Sequence, residues 1–152
     1  MALSTYEFTV ESRATPEAVF AVLADATRWR EWAGKMITVS EWEREGDPAP
    51  GGVGAVRKLG RPPAFALEQI VEYDPPRHLA YTILRGLPVR GYHADIDLVP
   101  TATSGTTIRW AGAFEPKIPG TGALFAATLH RIVHGYAAAA AAEAERRADQ
   151  PD

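Results

Sequence analysis

Three residues that could move protons alternate along one predicted strand. His93, Asp95 and Asp97 are two positions apart, so their side chains share one face of a strand over residues 89–99. Two neighbouring carboxylates can act as a general acid and a general base. The residues between and beyond them, Ile96 and Leu98, are apolar and claim the interior, which predicts that the trio faces solvent. In the inverted register the trio would face the interior, as an enzyme would require.

Two histidines, His130 and His134, have the i, i+4 spacing of a metal-binding pair on a helix. At about 100° per residue they fall roughly 140° and 180° from Phe125, away from the predicted apolar stripe of that helix. No glutamate completes a zinc-protease pattern, and no third ligand lies nearby in the sequence. We therefore predict a solvated helix face and no bound metal.

A glycine-rich segment over residues 51–54 lacks the Lys-Ser/Thr pair of a phosphate-binding loop and opens a strand rather than a helix. Together with the prolines before it, the segment predicts a mobile hairpin loop over residues 46–54, and whether this loop acts as a lid at a cavity mouth stays open. The four serines form no Gly-x-Ser-x-Gly nucleophile motif. The sequence therefore predicts no cofactor and identifies no catalytic residue.

Aromatic and aliphatic residues at the predicted inward positions are the candidate ligand contacts. Their planar and branched side chains suit a flat or lipid-like molecule, and a buried tyrosine hydroxyl seeks a hydrogen-bond partner that could orient it. The tyrosines concerned are Tyr81, Tyr92 and Tyr136. The full predicted set is Phe65, Leu67, Tyr81, Tyr92, Trp110 and Phe114 on strands, and Phe125, Leu129, Ile132 and Tyr136 on the last helix.

Residues 14–32 predict the elements that follow the first strand. Thr15 can accept a backbone hydrogen bond as an N-cap, and Pro16 fits the first helical position, where its missing N–H is no loss. A second short helix follows, with Asp25 or Thr27 as its cap. Trp29 and Trp32 are three apart and share one side of that helix. The segment predicts two short helices after a first strand, with the tryptophans as a structural plug.

The remaining pattern predicts an antiparallel meander followed by a long helix, with turn-forming residues at each break. An apolar stripe of Phe125, Leu129, Ile132 and Tyr136, extended by Ala139 and Ala140, faces the sheet. The prediction is one α+β domain over residues 1–152, in which a curved sheet of about seven strands wraps the C-terminal helix in the order β-α-α-β-β-β-β-β-β-α. The predicted strands cover residues 6–12, 36–44, 53–59, 65–73, 79–84, 89–99 and 106–115, and the helix covers 124–147.

The composition excludes several classes of function. A net charge of −3 argues against nucleic acid, which requires a concentrated basic face. The chain has no cysteine, which removes disulfides, thiolate nucleophiles and cysteine-bound metals. No apolar run approaches the ~18 residues needed to span a bilayer, and the N-terminus shows no signal peptide. We therefore expect a cytoplasmic protein without an integral membrane segment.

Several of these segments, taken in order, resemble the START-like superfamily with the helix-grip fold, also called SRPBCC. The chain is most similar to its bacterial polyketide cyclase/dehydrase and lipid-transport proteins. The resemblance implies the fold above and an apolar pocket between sheet and helix. It rests on residues 14–20, Asp25, Arg28-Trp29, Trp32, Glu68-Gln69-Ile70, Pro75-Pro76, residues 105–110 and the final helix.

The sequence thus favours binding, with transport as an extension, of a small hydrophobic or amphipathic ligand in that pocket. One alternative is a polyketide cyclase/dehydratase-type enzyme, in which His93 and Asp95 would move protons. A second alternative is a protein-interaction module that resembles the Hsp90-activator branch and uses the outer sheet face. The oligomeric state, monomer or homodimer, stays open.

Overall fold

A seven-stranded antiparallel sheet is the central element of the protein, which a computed structural model describes over residues 3–150. The strands are β1 (Ser4–Ser12), β2 (Val39–Arg44), β3 (Val56–Arg61), β4 (Ala64–Asp74), β5 (His78–Arg85), β6 (Val89–Pro100) and β7 (Thr106–Pro116). The sheet order is β1-β7-β6-β5-β4-β3-β2. Strands β2 to β7 are therefore a meander, and β1 pairs with the last strand. The predicted α+β helix-grip architecture is confirmed.

Two short helices and one long helix complete the fold: α1 (Pro16–Ala24), α2 (Trp29–Trp32) and α3 (Gly122–Ala148), with a 3-10 turn at Ala26–Arg28 before α2. Thr15 caps α1, because its Oγ1 accepts a hydrogen bond from the Ala18 N–H at 3.2 Å. Asp25 caps the following turn by accepting from the Thr27 N–H at 2.9 Å. Within residues 3–150, no helix has both the length and the apolar character that crossing a membrane requires.

The sheet curves around α3, and shifts in strand register mark the positions at which it bends. Strand register shifts occur between β2 and β3, twice between β4 and β5, and between β6 and β7. Such bulges bend a strand and increase its local twist. One end of the inner face is covered by α1 and α2, while α3 packs along β1 and against α1. The sheet and helix therefore converge on one side and separate on the other.

The buried face of α3 differs from the predicted one. Its deepest positions are occupied mostly by alanine and other small or branched residues: Ala126, Leu129, Val133, Ala137, Ala140, Ala141 and Ala144. On a wheel of about 100° per residue, this stripe is turned by roughly 80° from one centred on Phe125, Ile132 and Tyr136. Small side chains let the helix approach β1 and α1 closely. The larger, half-buried side chains stand beside that contact, where the helix moves away from the sheet.

The loop over residues 46–54 lies away from the cavity described below. It forms a tight turn in which Gly46 N–H donates to Pro50 O at 2.8 Å and Asp47 N–H to Val53 O at 3.0 Å. A Cβ on Gly46 would stand 2.1 Å from the Gly52 carbonyl oxygen, so the close backbone approach requires glycine. The loop precedes β3, whereas the cavity opens at the opposite end of that strand. The loop therefore does not border the cavity mouth.

Candidate functional site

An internal cavity of about 460 Å³ lies where α3 and the sheet separate. Its walls come from the inner faces of β3 to β7, the aromatic side of α3 and Trp29 of α2. Its mouth is bordered by the segment before β2, the β3–β4 turn and the β5–β6 turn, with Lys35 and Arg61 as its cations. The Arg61 guanidinium reaches the Lys35 carbonyl oxygen at 3.5 Å. The site is a mainly apolar chamber with a basic rim.

The structure brings seven of the ten predicted ligand contacts to this one cavity. Strand residues supply its floor and helix residues its roof, which follows from the alternation of β5 to β7 and the spacing on α3. Tyr81, Tyr92 and Trp110 point inward as predicted, with Ala94, Ile96 and Ile108 buried beside them. The seven are Phe65, Tyr81, Tyr92, Trp110, Leu129, Ile132 and Tyr136.

The other three predicted contacts, Leu67, Phe114 and Phe125, do not line the cavity. Leu67 pairs with Lys58 on the outer face of the sheet, because its neighbour Glu68 points inward. Phe65 belongs to the same outer face: its ring lies 4.4 Å from the Lys58 ammonium, and it borders the cavity at the strand's end. The predicted inward orientation of Phe65 and Leu67 is therefore wrong.

Phe114 and Phe125 are also absent from the cavity wall. Phe114 is completely buried and packs on Tyr92 with ring centroids 6.1 Å apart. Phe125 meets Phe114 edge to face at 5.7 Å. These rings fill the core beside the cavity and leave no space for a ligand there.

Tyrosine hydroxyls form a buried polar network at the inner side of the cavity. The hydroxyls of Tyr6 and Tyr92 hydrogen-bond to each other, and the Trp110 indole N–H donates to the Tyr81 hydroxyl at 3.3 Å. Burial raises the pKa of Tyr6 to about 12 and the pKa values of Tyr81 and Tyr92 further above the ordinary value. The three phenols are therefore neutral at physiological pH and act as hydrogen-bonding groups rather than as bases.

A buried ion pair lies beside these hydroxyls. Arg57 of β3 is 1% exposed, and its Nε donates to Glu68 Oε1 of β4 at 2.8 Å. Its Nη1 donates to the Leu23 carbonyl oxygen at 3.1 Å. The guanidinium is sandwiched between the rings of Trp29 and Tyr81, 4.8 Å and 5.1 Å from their centroids. Glu68 itself lines the cavity, so a carboxylate faces an otherwise apolar chamber.

Trp29 closes one end of the cavity. It is 2% exposed, and its indole N–H donates to Leu23 O at 3.1 Å. Its ring contacts Trp32 at 4.6 Å and Tyr136 edge to face at 5.7 Å. The two tryptophans thus connect α2 to α3 and to the ion pair. Trp29 closes the end of the cavity, which is the structural role predicted for the tryptophans.

Arg57 and Glu68 were missed at the sequence level because charged residues in a strand are normally assigned to the solvent face. The signal that could have found them is alternation from a firmly apolar neighbour. Leu59 and Ile70 are 5% and 2% exposed, and each lies two positions from one member of the pair. Because alternate residues of a strand share a face, the buried Leu59 and Ile70 predict that Arg57 and Glu68 also point inward.

The candidate acid/base residues His93, Asp95 and Asp97 lie on the outer face of β6. The alternate residues Ala94, Ile96 and Leu98 are buried, as the alternation predicts. His93 Nε2 lies 3.2 Å from Asp95 Oδ1, away from the cavity. The inverted register that would bring the trio to the cavity does not occur, so these residues cannot serve an enzyme acting there.

The outer face instead carries a charge network around His78. Its Nδ1 is 2.7 Å from Asp97 Oδ1 and its Nε2 is 2.7 Å from Glu72 Oε1. Because both ring nitrogens face carboxylates, both donate, and the imidazolium form is favoured. Burial lowers the pKa of His78, but these two hydrogen bonds outweigh burial and raise the pKa above its ordinary value of 6.5.

This geometry predicts a pH dependence. A raised pKa in the folded state means that the stabilisation is complete below the unfolded pKa and is lost as the pH rises through the folded pKa. Between about pH 6 and pH 8 the unfolding free energy of the wild type should therefore fall more than that of His78→Gln. Asp97→Asn should lower the pKa of His78, as measured by NMR titration of the imidazole. An unchanged pKa in that variant would contradict the assignment.

His130 and His134 are exposed, as predicted, and their rings also contact Phe8 of β1. Both rings meet the Phe8 ring edge to face, at 5.4 Å and 5.0 Å, and stack on each other at 6.2 Å. The rotation of the buried stripe described above explains why they reach β1. Among residues 3–150, the group that brings three metal-ligand atoms within 4.8 Å of one another is Glu72, His78 and Asp95 on the outer face, whose atoms take part in the His78 network.

A second concavity, a surface groove of about 730 Å³, runs between β1 and the start of α3. It is lined by residues 3–7, by three alanines of α3 and by His130. Its polar side chains form no converging set. The enclosed aromatic cavity, with its ion pair and hydroxyls, is the better candidate for a binding site.

Comparison with known proteins agrees with this architecture. The Zhui aromatase/cyclase from Streptomyces sp. R1128 superposes with a TM-score of 0.80 at 20% identity, over 97% of this chain and 96% of that chain. A START superfamily protein from Mycobacterium smegmatis gives 0.79 at 14%, over 94% and 98%. A Thalictrum flavum norcoclaurine synthase point mutant in complex with a transition-state analogue gives 0.71 at 17%, over 97% and 98%. Identities this low establish the fold alone.

Family membership is established by sequence rather than by superposition. A search of curated proteins finds no match. The family model described as polyketide cyclase / dehydrase and lipid transport matches residues 4–149, which is nearly the whole chain. The chain therefore belongs to the polyketide cyclase/dehydrase and lipid-transport family.

Proposed function

We propose that the protein binds a small hydrophobic or amphipathic molecule in the cavity between the sheet and α3. The observation that carries the proposal is the cavity itself, about 460 Å³ in volume, aromatic in its walls and provided with few polar groups. Ligand pockets in proteins have this size and composition. The proposed contacts are Phe65, Tyr81, Tyr92, Trp110, Leu129, Ile132 and Tyr136. Carriage of the ligand would use the same cavity.

Filling the cavity should abolish binding. Ile132 is half-buried on the roof of the cavity, so Ile132→Trp places an indole in the ligand's space. We expect the Kd for prodan, a neutral naphthalene dye that brightens in apolar surroundings, to rise at least about tenfold, a loss of ~1.4 kcal/mol. The measurement is a fluorescence titration, with thermal unfolding to show that the variant folds.

The matched control is Leu124→Trp on the same helix, at a residue that is 74% exposed and outside the cavity. Its Kd for the dye should equal that of the wild type. The absence of saturable dye binding to the wild type would refute the proposal, as would equal affinities of the wild type and Ile132→Trp.

A second candidate function is catalysis of the cyclase/dehydratase type, because Glu68 and neutral tyrosine hydroxyls face the same chamber. These groups could hold and move a proton on a reactive polyketone, in place of His93 and Asp95. Turnover of such a substrate should be lost in Glu68→Gln and retained in Asp95→Asn. Turnover that survives in Glu68→Gln would exclude this role.

A further inference from the structure

Glu68 is the one acidic side chain on the cavity wall within residues 3–150. One of its oxygens, Oε1, accepts from Arg57, and in the described part of the chain no donor reaches the other oxygen. A carboxylate has about four acceptor positions, so capacity is left on the side that faces the cavity. An acceptor in apolar surroundings gains more from a hydrogen bond than the same acceptor in water.

The partner of this carboxylate is also incompletely paired. Arg57 Nη2 is buried and has no hydrogen-bond partner among residues 3–150, although Nε and Nη1 of the same guanidinium are bonded. Buried donors are normally satisfied, and an orphan costs free energy. Glu68 on the cavity wall and Arg57, buried beside it between the rings of Trp29 and Tyr81, therefore both retain unused hydrogen-bonding capacity.

Tyr136 lies across the same space on α3. Its hydroxyl belongs to a cavity-lining side chain, and burial followed by the negative charge of Glu68 raises its pKa to about 12. The phenol thus keeps its proton and can donate to a ligand oxygen. A ligand hydroxyl is suited to both groups, because one O–H can donate to the carboxylate while its oxygen accepts from the phenol.

We propose that Glu68 selects ligands that carry a hydroxyl donor, of the phenol or alcohol class, on a flat apolar body. This inference rests on the proposed binding function and specifies its ligand. A free carboxylate at the same position would be repelled by Glu68 and would leave the acceptor unsatisfied. An acidic head group instead suits the rim, where Lys35 and Arg61 supply positive charge.

The test compares two probes with the same naphthalene body, 2-naphthol, whose oxygen carries a proton, and 2-methoxynaphthalene, whose oxygen carries a methyl group and cannot donate. Isothermal titration calorimetry on the wild type should show 2-naphthol binding about tenfold tighter or more, because a hydrogen bond to a charged acceptor has roughly that effect. In Glu68→Gln the preference should fall to about threefold or less. Glu72→Gln, on the outer face of the same strand, should retain the wild-type preference. If Glu68→Gln does not fold, Glu68→Asp, which withdraws the carboxylate by one methylene, should also reduce it.

The outcomes separate the two proposals. If both probes bind the wild type equally, donor selection is refuted and the cavity-binding function stands. If the preference persists in the Glu68 variants, Glu68 is not its source and the inference is overturned. If neither probe nor the dye binds, the proposed function fails and the inference fails with it.

Discussion

Replacing Arg57 with methionine is expected to lower the free energy of unfolding by about 3–5 kcal/mol. The guanidinium is 1% exposed and compensates Glu68, and it also donates to the Leu23 carbonyl oxygen. Methionine fills a similar volume but leaves the carboxylate without its cation and the carbonyl with one donor fewer. Urea unfolding with a constant m-value measures the loss. A loss below about 1 kcal/mol would show that the pair contributes little.

The chain offers a matched control in Arg109→Met. The Arg109 Nε lies 2.8 Å from Glu7 Oε2 on a neighbouring strand, the same distance as in the Arg57–Glu68 pair. Arg109 is half exposed, however, so water already solvates its charge and the loss should be much smaller than that of Arg57→Met. The double variant Arg57→Met/Glu68→Met should recover most of the Arg57→Met loss, because two apolar side chains leave no buried charge.

Replacing Trp29 with alanine is expected to have a comparable effect, about 3–5 kcal/mol. The side chain is buried between α2, α3 and the ion pair, so its removal enlarges the cavity and separates elements that now contact each other. The Leu23 carbonyl oxygen also loses one of its two side-chain donors. Thermal and urea unfolding measure the change, and prodan binding reports whether the enlarged cavity is still formed.

Trp32→Ala is the control for the neighbouring ring. Trp32 is only half-buried, and its indole N–H has no partner among the described residues, so its loss should be smaller, roughly 1–2 kcal/mol. If Trp29→Ala does not fold, Trp29→Phe keeps an aromatic ring, removes the hydrogen bond and part of the ring volume, and should reduce the unfolding free energy by less than Trp29→Ala. Equal losses in Trp29→Ala and Trp32→Ala would refute the plug role of Trp29.

The elements of this fold could be predicted from local signals. Thr15 and Pro16 mark the start of α1 by capping chemistry, and the structure shows that cap. Strand β6 alternates between apolar and polar residues over residues 92–98, and β7 has Ile108, Trp110 and Phe114 at alternate positions, so their inward faces, including Tyr92 and Trp110, are those predicted. Six of the ten predicted contacts follow from such alternation and from the helical spacing of α3.

The incorrect predictions concern strand positions at which a charged side chain points inward and apolar side chains point outward. In β4 the inward position is occupied by Glu68, and an ordinary hydrophobic pattern therefore assigns Phe65 and Leu67 to the interior. Alternation counted from Ile70 gives the correct face, and the neighbouring strand explains why a charge is stable there, because Arg57 stands opposite Glu68 and compensates it. A pattern within one strand contains no information about such a partner.

The sequence by itself determined the order of the elements, their caps and the curved sheet around a final helix, because these depend on neighbours in the chain. The tertiary structure alone decided which face of α3 is buried. Its alanines make the close contact with β1 and α1, and the large residues Ile132 and Tyr136 border the space that remains. Side-chain size predicts the opposite assignment, since large apolar residues are expected to be buried most deeply. Where two curved surfaces diverge, packing places small residues at the contact and large ones along the cavity.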